Sequence, residues 1–115
     1  MRKQLGDKVR VEHILEAILE IESYTFQVSE NEFLSNSMMR NACAKQIEII
    51  GEAVNLISDE LKQKHAQVEW RKIAATRNFL VHEYFGIDYR VIWNIIQKDL
   101  PEFKSQLQQI AERLA

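Results

Sequence analysis

Residues 43–61 of this 115-residue chain read CAKQIEIIGEAVNLISDEL, and this stretch decides the fold. Its apolar side chains recur in alternating steps of four and three, which is the spacing of one face of an α-helix. The pattern predicts a long helix over about residues 37–63. Gly51 lies in its middle, where glycine costs about 1 kcal/mol relative to alanine, so we expect another backbone to pass close to it. The predicted buried face consists of Cys43, Ile47, Ile50, Val54, Ile57 and Leu61.

A second apolar stripe runs along the same predicted helix, so we expect it to be buried on two sides. This stripe consists of Ala42, Ile49, Ala53 and Leu56. Helical periodicity continues on both sides of this segment. It predicts a first helix over about residues 8–26 and a third over about 69–84. A last helical segment follows, and Pro101 is expected to break or kink it because proline lacks the backbone N–H of a helix interior.

Capping signals mark the ends of these helices. Ser29 and Glu32 form a capping-box pattern that predicts a short helix around residues 33–34, and Asp99 with Glu102 forms a second such pattern. Gly86 is expected to cap the third helix at its C-terminus, and Asp88 the next one at its N-terminus. With three glycines and one proline in the whole chain, hairpins are disfavoured. The predicted fold is all-α, a bundle of four long helices plus short helical pieces, in a single domain over residues 1–115.

The composition is that of an ordinary globular domain, with 46% hydrophobic and 28% charged residues. No apolar run approaches the roughly 18 residues of a membrane-spanning helix, and residues 1–8 lack the apolar core of a signal peptide. We therefore expect a cytoplasmic protein that does not bind a membrane. The single cysteine, Cys43, has apolar neighbours and is expected to be a buried thiol.

The charge is distributed unevenly between the two parts of the chain. Residues 1–60 carry 6 basic and 11 acidic side chains, a balance of −5, whereas residues 61–115 carry 9 basic and 6 acidic, a balance of +3. A basic face in the second part could attract a polyanion, although an ordinary solvated face is the simpler explanation. The basic residues in question are Lys62, Lys64, Arg71, Lys72 and Arg77.

The stretch RNFLVHEY, residues 77–84, carries the candidate chemistry. Arg77 can hold a phosphate through two parallel hydrogen bonds, and His82 can move a proton near neutral pH. Residues five apart on an ideal helix differ by about 140° around its axis, so these two do not share a face. For Arg77 and His82 to contact the same phosphate, the helix must loosen near His82, or a second chain must complete the site.

A purely structural explanation is also available for each of these residues. Arg77 could pair with an internal carboxylate such as Glu52, His82 could cap a helix C-terminus, and Tyr84 could pack in the core with its hydroxyl in water. A metal site is not expected, because the three histidines and Cys43 are scattered without ligand spacing. No phosphate-binding glycine loop is present.

Taken together, the motifs of the chain resemble the HEPN-domain toxins of the HepT type, the ribonuclease half of a two-gene toxin–antitoxin system. The Arg-x4-His-x-Tyr motif is Arg77 to Tyr84. The resemblance extends along nearly the whole chain. It includes Ile50-Gly51-Glu52-Ala53, the approach Trp70 to Thr76, Gly86-Ile87-Asp88, Val91-Ile92-Trp93 and Asp99-Leu100-Pro101.

The resemblance implies a HEPN-like fold and a metal-independent ribonuclease without a cofactor, acting on RNA as a homodimer whose cleft both motifs line. It implies that Arg77 and His82 are catalytic, with Asn78 orienting the substrate or His82. It further implies a cognate MntA-like nucleotidyltransferase antitoxin that AMPylates Tyr84, as in type VII-like systems. Two other functions remain open at this point. One is a non-catalytic module that binds a nucleotide or a nucleotidyltransferase partner, and the other is a purely structural dimerising bundle.

Overall fold

A computed structural model describes the backbone of residues 2–82 and 86–114, and the side chains of residues 6–80 and 86–114. The described part contains helices and no strand, which confirms the all-α prediction. A π-helical segment, Ile95–Asp99, joins the last two α-helices. The α-helices are α1 Arg2–Tyr24, α2 Glu30–Ser35, α3 Ser37–Leu56, α4 Asp59–Lys64, α5 Trp70–His82, α6 Tyr89–Asn94 and α7 Leu100–Leu114.

The core lies around α3, which packs against α1 and against α5, while α7 packs on α1. The predicted face of α3 is buried, and it meets a buried stripe of α1 formed by Val11, Ile14, Ile18 and Ile21. Phe103, Leu107 and Ile110 of α7 complete the core. Fully burying one such aliphatic or aromatic side chain stabilises the fold by about 1.5–3 kcal/mol. None of the described helices has the length and apolar character needed to span a membrane.

The predicted helix over residues 37–63 is confirmed as far as Leu56 and wrong beyond it, because the chain breaks there. Ile57 adopts an extended conformation, and Ser58 begins α4 by accepting a hydrogen bond from the Leu61 N–H at 3.2 Å. The buried carboxylate of Asp7 accepts hydrogen bonds from Ser58 N at 2.9 Å and from Ser58 Oγ at 2.6 Å. This clasp holds the break against the start of α1.

The prediction that α3 is buried on two sides is also wrong. Ile49 is 36% exposed and Leu56 is 58% exposed, whereas Ala53 is buried. These residues lie in an open groove between α1 and α3, with Arg10 and His13 of α1 on its rim. Within one chain, α1 therefore covers only part of this stripe.

Two of the predicted caps are confirmed and one is wrong. Ser29 and Glu32 form the capping box of α2, and Asp88 caps α6 by accepting from Arg90 N at 3.0 Å. The cap expected at Gly86 involves residues 83–85, which lie outside the described residues, so it stays a prediction. Asp99 does not start a helix, because it lies inside the π-helical segment and its carboxylate is 3.3 Å from Lys72 Nζ.

The interruption predicted at Pro101 is present as the π-helical turn just before it. Leu100 N donates to Ile95 O, five residues back, instead of to the carbonyl four residues back. Pro101 then occupies the second position of α7, where a missing N–H leaves no helical hydrogen bond unmade. The chain thus enters the last helix without a loop.

The two tryptophans of the chain pack in different parts of the bundle. Trp70, at the start of α5, is buried edge-on against Phe103 with 5.9 Å between ring centroids, and its indole N–H donates to the His65 carbonyl at 3.1 Å. Trp93, on α6, packs against Phe33 of α2 with 5.1 Å between centroids. Each ring therefore ties a short connecting segment to the core.

Candidate functional site

Arg77 lies where α5 crosses α3 at Gly51. A Cβ atom built on Gly51 would lie 2.5 Å from the Arg77 Cβ, 3.3 Å from its backbone N and 3.4 Å from its Cα. Real Cβ atoms essentially never approach a neighbour closer than 3.0 Å. The expected close approach of a second backbone to Gly51 is confirmed, and the residue that makes it is the arginine of the motif.

Arg77 is half-buried, and its guanidinium lacks a partner among the described side chains. Its Nε atom is buried without a hydrogen bond, and none of the described ion pairs includes it. The pairing with Glu52 that the structural explanation required is not formed, since the exposed Glu52 lines the α1–α3 groove instead. A half-buried cation with free donors is costly unless it meets an anion. This environment suits a group that binds a phosphate.

The other residues of the motif follow Arg77 along α5. Asn78 is exposed on this helix. His82 is the last described residue of α5, so the two candidate catalytic positions, Arg77 and His82, share one α-helix. The backbone remains α-helical through His82, and their positions therefore differ by about 140° around the axis. The loosening of the helix considered from the sequence does not occur before His82. Tyr84 lies outside the described residues.

A cleft of about 440 Å³ lies one turn beyond Arg77, and sequence reasoning missed it. Its wall on α3 carries polar side chains, and Tyr89 lines its other side. The Tyr89 hydroxyl donates to Asn41 Oδ1 at 3.2 Å, and the guanidinium carbon of Arg40 lies 4.9 Å from the centre of its ring. The only hint in the sequence was polar residues at helical spacing on the side of α3 away from its apolar stripes. The described lining is Asn41, Ala44, Lys45, Glu48, Leu80, Ile87 and Tyr89.

The predicted basic face is weaker than the sequence suggested. Lys72 lies 3.3 Å from Asp99 and 3.6 Å from Glu69, and the contact with the Asp99 carboxylate raises the pKa of its ammonium. The positive charge of Lys72 is thus already balanced by carboxylates of the same chain. Lys64 and Arg71 are exposed and remain available to a polyanion.

The described side chains do not form a ligand set for a metal ion. Among residues 6–80 and 86–114, no group of three or more histidine, cysteine, aspartate or glutamate side chains is arranged to hold a metal ion. Cys43 is buried as expected, and burial raises the pKa of its thiol to about 11. A thiol of that kind is mostly protonated and is a poor nucleophile at neutral pH.

The fold and site together define a helical domain in which Arg77, without a partner among the described residues, lies one helical turn from a polar cleft. Comparison with known families identifies it further, since residues 14–110 match the model described as "Ribonuclease HepT-like". The chain belongs to this HepT-like ribonuclease family, as the sequence resemblance predicted. No solved protein structure matches the chain.

Individual relatives agree with this assignment. The chain is 36% identical over 100 residues to a probable ribonuclease HepT of Thermococcus cleftensis, covering 87% of this chain and 91% of that protein. It is 38% identical over 95 residues to a protein of Methanocaldococcus jannaschii named as a putative RNase, covering 83% and 87%. A longer protein of the same archaeon, named as a gamma-glutamylcyclotransferase and putative RNase, is 36% identical over 114 residues. The chain spans 50% of the length of that relative.

Proposed function

We propose that this protein is the toxin subunit of a type VII-like toxin–antitoxin system, a single-domain, metal-independent endoribonuclease of the cytoplasm. The observation that carries the proposal is Arg77, which packs against Gly51 and whose guanidinium has no partner among the described residues. His82 follows it on the same helix. An arginine held in this way is ready to bind a phosphate, and the family to which the chain belongs is one of ribonucleases.

RNA brings its own nucleophile, so the protein has to supply only proton transfer and charge stabilisation. In the proposed reaction the His82 imidazole takes the proton of a ribose 2′-OH. The O2′–P bond forms, the P–O5′ bond breaks, and the leaving 5′-oxygen takes a proton from an imidazolium. Arg77 stabilises the negative charge on the phosphoryl oxygens in the transition state, and the exposed Asn78 orients the substrate. The products are a 2′,3′-cyclic phosphate and a 5′-hydroxyl.

The test is cleavage of a mixed cellular RNA by the purified, unmodified chain in EDTA. Histidine acid–base catalysis is typically worth about 10²–10⁴-fold, and removal of one charge-stabilising donor costs about 10²–10³-fold. His82→Ala and Arg77→Ala should therefore lose activity by these factors. Arg113→Ala and His13→Ala are matched controls, since both side chains are exposed and neither belongs to the predicted basic face. If the wild-type chain binds RNA but does not cut it, the catalytic proposal fails and the non-catalytic binding module is favoured.

The proposed enzyme is a homodimer whose cleft takes residues from both copies. The support is geometric, because the positions of Arg77 and His82 differ by about 140° on one regular helix. A two-fold axis beside α5 would bring Arg77 of one copy and His82 of the other to the same groove. Light scattering should therefore give twice the chain mass at micromolar concentration.

Complementation tests the shared site directly. Equal amounts of Arg77→Ala and His82→Ala chains, unfolded and refolded together, form half mixed dimers, each with one intact site. Activity should then return to about a quarter of the wild-type value, as expected for a two-fold dimer. If mixed dimers form and remain inactive, or if the protein is a monomer, the shared site is refuted.

The proposed partner is an MntA-like nucleotidyltransferase antitoxin that attaches AMP to Tyr84. The proposal rests on the family resemblance and on sequence position, since Tyr84 lies seven residues after Arg77. The added phosphate would give Arg77 an anion to bind, and the nucleotide would occupy the RNA groove. Mass spectrometry after co-expression should find an AMP adduct on Tyr84, and Tyr84→Phe should escape neutralisation. An unmodified Tyr84 in a fully neutralised complex would contradict the proposal.

A further inference from the structure

The cleft beside Tyr89 has the position and the chemistry of a base-binding subsite. Leu80, in its wall, follows Arg77 by three residues on α5, which is about 4.5 Å along the helix axis. The cleft therefore opens next to the point where the proposed function places a phosphate. Its volume of about 440 Å³ lies within the range of about 300–1,000 Å³ that is usual for small-ligand sites.

Tyr89 is a preorganised aromatic surface in this cleft. Its hydroxyl is held by Asn41, and the Arg40 guanidinium lies over its ring. Arg40 is itself fixed by donating to the carbonyl of Leu34. Tyr89 lines the cleft whereas Arg40 does not, so Tyr89 presents part of its side chain to the cleft while Arg40 holds it from outside the cleft. A ring held in this way can stack on a base without a further loss of side-chain freedom.

The α3 wall carries a hydrogen-bond donor and an acceptor close together, as a base edge requires. Lys45 and Glu48 lie one turn apart, with 4.0 Å between Nζ and Oε2, and both line the cleft. An ammonium only donates hydrogen bonds and a carboxylate only accepts them. Guanine presents the O6 acceptor beside two N–H donors, so it can satisfy both side chains and make two bonds to Glu48. Adenine presents only one donor group beside its acceptor.

We propose that this cleft binds one unpaired base of the RNA substrate, with guanine preferred, stacked on Tyr89 and read by Lys45 and Glu48. The proposal rests on the proposed ribonuclease function for the identity of the ligand. It places a specificity-determining site next to the catalytic motif, on residues that the motif does not include. One additional net hydrogen bond of about 0.5–1.5 kcal/mol corresponds to a preference for guanine of about 2- to 10-fold over adenine.

Binding is tested with the full chain carrying Arg77→Ala, which removes the proposed phosphate contact. GMP, AMP, CMP and UMP are titrated while amide resonances are followed by NMR, so that only the base differs between ligands. GMP should bind most tightly and should shift the resonances of Asn41, Ala44 and Tyr89. Unsaturable binding, equal affinity for the four nucleotides, or shifts confined to another part of the protein would overturn the proposal.

Variants of the aromatic side chain separate stacking from folding. Stacking of one base is worth about 1–3 kcal/mol by alanine substitution, so Tyr89→Ala should weaken GMP binding by about 5- to 150-fold. Tyr89→Phe keeps the ring and should stay close to the parent protein. Tyr24→Ala is the matched control, because Tyr24 is half-buried at the end of α1 and does not line the cleft. Unchanged GMP affinity in a folded Tyr89→Ala protein would refute the subsite.

The outcomes for the subsite and for the ribonuclease activity can be told apart. If the wild-type chain cuts no RNA but GMP binds at Tyr89, the subsite stands and the catalytic proposal fails. If the chain cuts RNA and Tyr89→Ala leaves both KM and the choice of cleavage site unchanged, the subsite fails and the catalytic proposal stands. Glu48→Gln should weaken the preference for guanine, measured as the ratio of GMP to AMP affinity, and an unchanged ratio would contradict the role given to Glu48.

Discussion

Substitution of Gly51 by alanine tests whether the crossing of α3 and α5 sets the position of Arg77. The new methyl group would lie 2.5 Å from the Arg77 Cβ, whereas ordinary carbon–carbon contact is about 3.5–4.0 Å. Neither atom is the end of a flexible side chain, so the two helices must separate by roughly 1 Å. The arginine would move with its helix.

The two effects of this substitution on stability partly cancel. Overpacking typically costs about 1–3 kcal/mol, while replacing glycine by alanine inside a helix returns about 1 kcal/mol. A net loss of about 0–2 kcal/mol follows, which lowers Tm by up to roughly 10 °C for a domain of this size. Catalysis is more sensitive, since a 1 Å misplacement of a reacting group can cost about 100-fold.

The assay measures kcat/KM for RNA cleavage and Tm on the same preparations. Gly6→Ala is the matched control, because a Cβ at Gly6, also inside a helix, meets nothing within 4 Å. The control should keep its activity and gain up to about 1 kcal/mol of stability, whereas Gly51→Ala should lose about 100-fold in kcat/KM at a modest cost in Tm. A Gly51→Ala protein that is as active as the control would refute the argument that this crossing positions Arg77.

Three further predictions follow from the core. Burial, with smaller contributions from the Arg113 and Lys64 charges, lowers the pKa of His65 below its ordinary 6.5. Below about pH 6.5 the unfolded chain therefore binds a proton at His65 more readily than the folded chain does. As the pH falls, the free energy of unfolding of the wild type should drop more steeply than that of His65→Gln, as measured by urea unfolding at several pH values. Parallel pH dependences would contradict this. Asp7→Ala and Ser58→Ala should each destabilise the fold by about 1–3 kcal/mol, and the double variant should lose clearly less than the sum; additive losses would exclude the clasp. Cys43 should react with a thiol reagent at pH 8 only as fast as the protein unfolds, and rapid labelling of the folded protein would contradict its burial.

The sequence predicted those parts of the fold that depend on local signals. Periodicity located the buried face of α3, and the cost of glycine in a helix predicted the close approach at Gly51. The break after Leu56 was missed because the apolar spacing continues through Ile57, while the clasp that fixes the break comes from Asp7, 51 residues away in sequence. No local pattern carries such a contact.

The candidate site, like the fold, could be predicted only where its residues lie close together in sequence. The motif could be found because its residues lie within eight positions, and the roles of Arg77 and His82 in catalysis remain predictions. The cleft at Tyr89 could not be predicted, since Asn41 and Tyr89 are 48 residues apart and meet only after folding. The prediction that Asp99 caps the last helix was wrong for a related reason. Its capping-box pattern is local, whereas its contact with Lys72 belongs to the tertiary structure.

The placement of the two tryptophans gives the protein a pair of built-in fluorescent reporters. Trp70 has a buried, hydrogen-bonded indole beside Phe103, while Trp93 is half-buried beside Phe33. Variants that keep one indole and replace the other by phenylalanine would emit from separate regions of the bundle. Superimposable denaturation curves from the two variants would establish that both regions unfold in one cooperative transition. Separate curves would show that the α2–α6 corner and the contact between α5 and α7 are lost in different steps, and the lower midpoint would identify the region that opens first.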